Sequence, residues 1–258
     1  MAERRIGMNY ETVIFEKRGA VAVATLNRPA KKNALTEQMH RELIDIYEEV
    51  EKDDALKVLV IAGAPEFFST GADLSDVMKT DAGLPTGPNA IERLADFVKP
   101  SIAAIDGWCI AGGLELALSC DLRVAAETAR IGDRHIRIGF IGGAGAPTRL
   151  VRLLGASKAM ELILSGDTID GNEAFRIGLA NKVVPREKLM DGAMEMATKI
   201  AAYSPLALKL SKKAIKAAVD ASEHESLHTT HQLVLELLSS AEYKERIATF
   251  LGTKAKGG

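Results

Sequence analysis

Along the first half of the chain, short apolar runs alternate with longer stretches in which apolar residues recur every three or four positions. TVIFEK (12–17) and VAVATL (21–26) predict two strands separated by a turn at Gly19. Thr36 can cap a helix running to about Lys52, in which Met39, Leu43, Ile46, Tyr47 and Val50 share one face. KVLVIAG (57–63) predicts a short buried strand, followed by a loop to Gly71 and a short helix after it. Residues 79–89 (KTDAGLPTGPN) are rich in glycine, proline and threonine and predict a mobile loop. SIAAIDG (101–107) predicts a strand leading to a helix around Glu115, and LRVAA (122–126) the strand after it. This alternation predicts an α/β core.

Past about residue 186 the strand signals stop. Amphipathic helices are predicted over 187–202, 205–219 and 223–250, the last broken near Ser240. The expected division is therefore a core over residues 8–186 and a helical region over 187–258, whose apolar faces pack on the core or on another subunit. No internal repeat of fixed period is legible. The polar stretch MAERRIG (1–7) and the glycine-glycine tail predict frayed ends.

Composition narrows the class. A chain of 258 residues, 47% hydrophobic and 26% charged, suits one large domain or a domain with an appendage. The net charge of −2 provides no electrostatic footprint for nucleic acid or an anionic membrane surface. Both cysteines, Cys109 and Cys120, lie in one apolar segment and read as reduced core residues, which suits a cytoplasmic location. No apolar run reaches spanning length.

That apolar segment, IAAIDGWCIAGGLELALSCD (102–121), carries the carboxylate of Glu115 in its middle. A helix that is apolar all round is buried, and a buried carboxylate is costly unless paired, hydrogen-bonded or protonated. Glu115 is therefore either half of a structural polar pair or a working acid or base. Three stretches, one of them within this segment, bring glycines to loop–helix junctions, where free backbone N–H groups can hold an anion. FFSTGADL (67–74) has Gly71 and Ala72, and IAGGLEL (110–116) has Gly112 and Gly113. IGDRHIRIGFIGGAGAPTRL (131–150) has Gly142, Gly143 and Gly145, while LNRPAKKNALT (26–36) places a turn between strand and helix.

The order and spacing of these four stretches resemble the crotonase family, the enoyl-CoA hydratase/isomerase superfamily. The resemblance runs from about Tyr10 to the C-terminal helices, and SGDTIDGNEAFRIGLANKVVP (165–185) closes the series. It implies a ββα-repeat spiral holding an acyl-CoA thioester, with terminal helices that assemble homotrimers or dimers of trimers. It implies no metal and no cofactor beyond the coenzyme A of the substrate. It maps Glu115 onto the first catalytic glutamate, and the backbone amides of Ala72 and Gly112 onto an oxyanion hole. Arg28, Ala30, Ala72, Asp73, Leu74, Ser75 and Gly143 fall on the path of the coenzyme A moiety and substrate. Two aimed N–H groups suit an enolate, whose negative charge gathers on one oxygen.

The chain departs from the family twenty residues after Glu115, where hydratases carry a second glutamate in a Pro-Glu dipeptide. Here Arg134-His135 stands instead, and Gly142 replaces the proline of the family's Pro-Gly-Ala-Gly stretch. Protonated, His135 can deliver a proton to the substrate Cα while Glu115 positions or deprotonates water; neutral, it can itself be the base. It can also merely fill the site, within a charge cluster of Asp133, Arg134 and Arg137.

The implied function is an enoyl-CoA hydratase-like lyase acting through a stabilised enolate. Isomerisation of the double bond and C–C or thioester hydrolysis are the alternatives, and a non-catalytic acyl-CoA-binding scaffold is the reading from another class. Residues 139–146 (GFIGGAGA) hold no carboxylate for dehalogenation. The helix over 36–52 is too acidic for RNA, carrying Glu37, Glu42, Asp45, Glu48, Glu49 and Glu51. The acyl pocket is expected from Met78, Leu84, Ile91 and Leu94, with Trp108 and Phe140, and Arg134 or Arg137 could favour a carboxylated acyl chain. His224-Glu225-Ser226-Leu227-His228 matches the H-E-x-x-H pattern of zinc peptidases, with His231 nearby. Lacking a downstream glycine turn and third ligand, it reads as a polar helix face.

Overall fold

The computed structural model describes residues 10–77 and 89–252. The loop over 79–89, apart from Asn89, lies outside the described residues, as do Met78, Leu84, the first seven residues and the glycine-glycine tail.

Strands β1 (Val13–Arg18) and β2 (Val21–Leu26) form an antiparallel hairpin. Helix α1 (Glu37–Lys52) starts at Thr36, whose side chain accepts the Met39 N–H at 3.2 Å. Its face of Met39, Leu43, Ile46, Tyr47 and Val50 is fully buried, as the spacing predicts. Three strand–strand–helix repeats follow. The first holds β3 (Val58–Gly63), β4 (Phe67–Ser69), α2 (Leu74–Val77) and α3 (Ala90–Ala95). The second holds β5 (Ser101–Ile105), β6 (Trp108–Ile110) and α4 (Gly112–Ser119). The third holds β7 (Leu122–Ala126), β8 (Arg130–Gly132), a 3-10 turn over His135–Ile138 and α5 (Ala146–Leu154). Then come α6 (Ala156–Ser165), α7 (Gly171–Arg176), β9 (Lys182–Val184), α8 (Leu189–Ala201), α9 (Pro205–Asp220), α10 (Glu223–Ser239) and α11 (Ala241–Phe250).

The first strand of each repeat joins a six-stranded sheet of order β1-β2-β3-β5-β7-β9, parallel from β2 onward. The second strands form a parallel three-stranded sheet of order β4-β6-β8. Because β4, β6 and β8 run parallel, the segments leaving their C-terminal ends emerge side by side. Ligands of parallel α/β sheets bind at such ends.

Both faces of the large sheet are covered. Leu59, Ile61, Ala103 and Ile105 face the main core with the apolar stripe of α1, while Val58, Val60, Ile102 and Ala104 face α8 through Leu189, Ala193 and Ala197. Two buried faces give continuous apolar runs rather than alternation. Helix α8 thus lies on the core sheet itself. The predicted strand over 101–107 ends earlier, at Ile105, because the chain turns at Asp106-Gly107 and starts β6 before the Glu115 helix. The break near Ser240 is a helix boundary: its hydroxyl accepts the Tyr243 N–H at 3.2 Å and caps α11. Among the described residues no helix is long and apolar enough to cross a membrane.

Candidate active site

The ends of the three small strands bring together the segments that the sequence singles out. After β4 the chain pairs briefly with Leu35, whose N–H donates to Gly71 O at 2.8 Å and whose carbonyl accepts the Asp73 N–H at 2.9 Å. With both neighbours held by Leu35, the N–H of Ala72 points away from this bridge. Gly112 is the first residue of α4, where an N–H has no intrahelical partner. The two amides are adjacent: a Cβ on Gly112 would lie 3.3 Å from Ala72 N, and one on Gly71 would lie 2.7 Å from Gly112 N. Among the described residues neither N–H has a hydrogen-bond acceptor. The dipole of α4 adds positive potential at the same point.

Between β6 and α4, Ala111 adopts φ 51° and ψ −126°, a conformation that L side chains rarely hold. It is fixed by its N–H to Gly132 O at 3.3 Å and by its carbonyl, which accepts the Glu115 N–H at 3.0 Å. Ala111→Gly is expected to stabilise the fold by about 1 kcal/mol, since the relieved strain exceeds glycine's entropic cost. Thermal unfolding reads this out, and a lower Tm would show that Ala111 carries no strain.

Asn33 and Ser69, which the sequence reading missed, tie the loop after β2 to the small sheet. Buried Asn33 accepts the Arg28 N–H through Oδ1 at 2.8 Å and donates from Nδ2 to Phe67 O at 2.6 Å. Ser69 Oγ donates to Asn33 O at 2.8 Å and accepts the Gly71 N–H at 3.2 Å. The one sequence signal was a polar pair, Ser-Thr, directly after FF.

Arg28 donates from Nη1 to Ala34 O at 2.7 Å and to Asp73 Oδ2 at 3.1 Å. Asp73 Oδ1 accepts from the Ser75 hydroxyl at 2.7 Å. That bond, with Arg28, outweighs burial and holds the Asp73 carboxyl below its ordinary range. Of the other expected binding residues, Ala30 is exposed in the Pro29–Lys31 turn and Leu74 is exposed at the start of α2. Gly143 is also exposed, with open space around it.

Glu115 is 3% exposed, in the first turn of α4. Its Oε1 accepts the Ala146 N–H at 3.0 Å, from the first residue of α5. Its Oε2 lies 4.0 Å from His135 Nε2. Burial pushes the Glu115 carboxyl up, against the opposing pull of the Ala146 amide and His135. The other ring nitrogen of His135, Nδ1, is 2.8 Å from Asp133 Oδ1, which also accepts the His135 backbone N–H at 3.0 Å. Burial alone would lower the imidazole pKa, but the Asp133 carboxylate and the Glu115 charge outweigh it and raise it above its ordinary value.

The structure separates the remaining candidates, Phe140 excepted, from this pair. Arg137 donates to Gly166 O at 2.8 Å and to Asp167 at 2.9 Å, and Arg134 lies over the Trp108 ring at 5.5 Å. Phe140 stands against His135, with ring centroids 5.9 Å apart, whereas Ile91 and Leu94 are buried in the main core. His224, His228 and His231 are exposed on α10, and Glu225 is engaged as the capping-box partner of Ser222. Among the described residues no group of three or more His, Cys, Asp or Glu side chains is arranged to hold a metal ion.

Comparison with known proteins bears on the same site. The family model for enoyl-CoA hydratase/isomerase matches residues 16–256. A short-chain-enoyl-CoA hydratase of Clostridium acetobutylicum is 38% identical over 250 residues, covering 95% of this chain and 96% of its own. A 2,3-dehydroadipyl-CoA hydratase of Escherichia coli is 36% identical over 242 residues, covering 93% and 95%. The crystal structure of an enoyl-CoA hydratase from Mycobacterium tuberculosis superimposes with a TM-score of 0.87 at 31% identity, covering 95% of this chain and 98% of that one.

Proposed function

Because the chain belongs to the enoyl-CoA hydratase/isomerase family, we propose that it adds water across the α,β-double bond of an enoyl-CoA thioester. The observation that carries this reading is the facing pair of Glu115 and His135 at 4.0 Å, together with the amides of Ala72 and Gly112, which have no acceptor among the described residues. Glu115 takes a proton from water, and the oxygen forms its bond to the substrate Cβ. The double-bond electrons move toward the thioester, and the enolate oxygen is held by the Ala72 and Gly112 N–H groups. Protonated His135 delivers its proton to Cα, giving the 3-hydroxyacyl thioester. Proton transfer from Glu115 to His135 then restores both groups. A carboxylate with a raised pKa is a stronger base, and an imidazole with a raised pKa keeps its proton to higher pH than an ordinary histidine; each shift suits its role.

Arg28, Asp73 and Ser75 are already joined to one another, which supports their role as a scaffold for the coenzyme A path rather than as free ligands. The reading needs no cofactor beyond that coenzyme A. Assembly into homotrimers or dimers of trimers is part of the proposal. Its support is the exposed apolar face of α10, with Leu227, Val234, Leu235 and Leu238, beside exposed Ile215 and Val219 of α9.

The test is a panel of enoyl-CoA thioesters followed by loss of enoyl absorbance and by product mass. Loss of absorbance with the gain of one water supports hydration. Absorbance change without that mass gain turns the reading to isomerisation or hydrolysis, and tight thioester binding without turnover turns it to a scaffold. His135→Glu combined with Asp133→Asn, which keeps the charge of the site, is expected to retain or improve hydration of crotonyl-CoA; an inactive but folded variant of an active enzyme would exclude the exchange of acids proposed here.

A further inference from the structure

We propose that Asp133 is a positioning residue for this reaction: it holds His135 with the Nδ1 proton turned inward and Nε2 turned to Glu115, so that Asp133 and His135 together act as the second acid. The inference rests on the reading of His135 as proton donor.

Asp133 is 1% exposed and sits at the C-terminal end of β8, where its Oδ1 receives both the backbone N–H and the ring Nδ1 of His135. An ionised carboxylate only accepts hydrogen bonds, so Nδ1 carries the proton. The exchangeable proton is then on Nε2, the nitrogen that faces Glu115. Asp133 Oδ2 has no hydrogen-bond partner among the described residues and faces Gly142, where a Cβ would come within 3.0 Å of it and of Glu115 Oε1. The charge of Asp133 is thus not committed to another cation.

The charge count explains why a carboxylate belongs here. Two glutamates sharing one proton carry a net charge of −1. Ionised Glu115 with protonated His135 carries zero, and Asp133 restores −1. Burial by itself lowers the imidazole pKa and favours the neutral form, which has no proton on Nε2 to give. The cations near the imidazole are engaged elsewhere and do not oppose this field. Arg134 lies over Trp108, Arg137 is held by Gly166 O and Asp167, and Arg149 of α5 donates to Ala144 O. Phe140 offers a neutral ring. Glu115, from α4, acts in the same sense as Asp133.

Asp133→Asn keeps an oxygen for the His135 backbone N–H and removes the charge. The expected result is a kcat lowered about tenfold or more with little change in KM, since losing a carboxylate that orients an imidazole costs about tenfold to a hundredfold at metal-bound histidines and more behind a catalytic one. Activity requires protonated His135 and falls as pH rises through its pKa; in the variant that alkaline limb moves to lower pH. Nitrogen-15 NMR of labelled histidine should show the same downward move, and in the wild type a neutral tautomer protonated at Nδ1. A wild-type tautomer protonated at Nε2, a reading independent of whether the variant folds, would overturn the proposal. An unchanged His135 titration in Asp133→Asn, with His135→Gln inactive, would also overturn it while sparing the role of His135. A fully active His135→Gln would remove both.

Discussion

Glu115→Gln is expected to lower kcat on a short enoyl-CoA by about two to four orders of magnitude, the contribution of a well-placed general base. Affinity for the acyl-CoA should survive, because glutamine still offers Oε1 to the Ala146 N–H and keeps the start of α5 in place. The same substitution should change stability in the opposite direction. The Glu115 carboxyl is pushed up in the fold by burial, so folding favours its neutral form. That contribution is fully present at pH below the usual carboxylate range and is lost as pH rises through the raised value. Above that raised value the wild type bears an ionised buried group, and the glutamine variant does not. The variant should melt higher than the wild type on that alkaline side, with the gain shrinking as pH falls through the raised value into the carboxylate range. Turnover by stopped assay and Tm across pH read the two effects separately. Unchanged turnover would take Glu115 out of the chemistry; a lower Tm on the alkaline side of its titration would show that its pairing with His135 outweighs its burial.

The chain showed Glu115 plainly, because one charge in an apolar helix has few explanations, and it showed Gly71, Ala72 and Gly112 through their places at loop–helix junctions. Its long helices were equally legible: the stripe from Met39 to Val50 has one face, and Thr36 and Ser240 mark ends by their side-chain chemistry. The small sheet was not. Strands β4, β6 and β8 hold three residues each, too few for a period of two to emerge. Yet their C-terminal ends carry the candidate site. The left-handed backbone of Ala111 left no trace, since alanine is not the residue that such a conformation calls for. Asn33 and Ser69 were likewise silent, for a buried amide and hydroxyl are recognised only once their partners are placed. Asp133 read as one member of a charge cluster, and only the 2.8 Å contact separates it from Arg134 and Arg137, which turn elsewhere.

Gly71→Ala is the substitution expected to strike the proposed oxyanion amides of Ala72 and Gly112 without touching the proposed acid–base pair. Gly71 has φ +90°, which an L side chain holds only under strain, and its new Cβ would press within 2.7 Å of Gly112 N and 3.0 Å of the Ala111 Cβ. The methyl group would both displace the Gly112 donor and cover it. Losing one such donor typically costs about a hundredfold to a thousandfold in kcat, and the backbone strain should cost about 1–3 kcal/mol of stability. Gly112→Ala approaches the same point from the other side, 3.3 Å from Ala72 N and without a positive φ, so its effect should be smaller in both respects. The pH dependence separates these variants from those of Glu115 and His135. With the charged pair intact, the profile of kcat should keep its shape and fall in height, whereas loss of Asp133 or Glu115 moves its limbs. A folded Gly71→Ala protein with wild-type kcat would mean that the enolate oxygen is held elsewhere, and that the adjacent amides of Ala72 and Gly112 serve only the packing of β4 against α4.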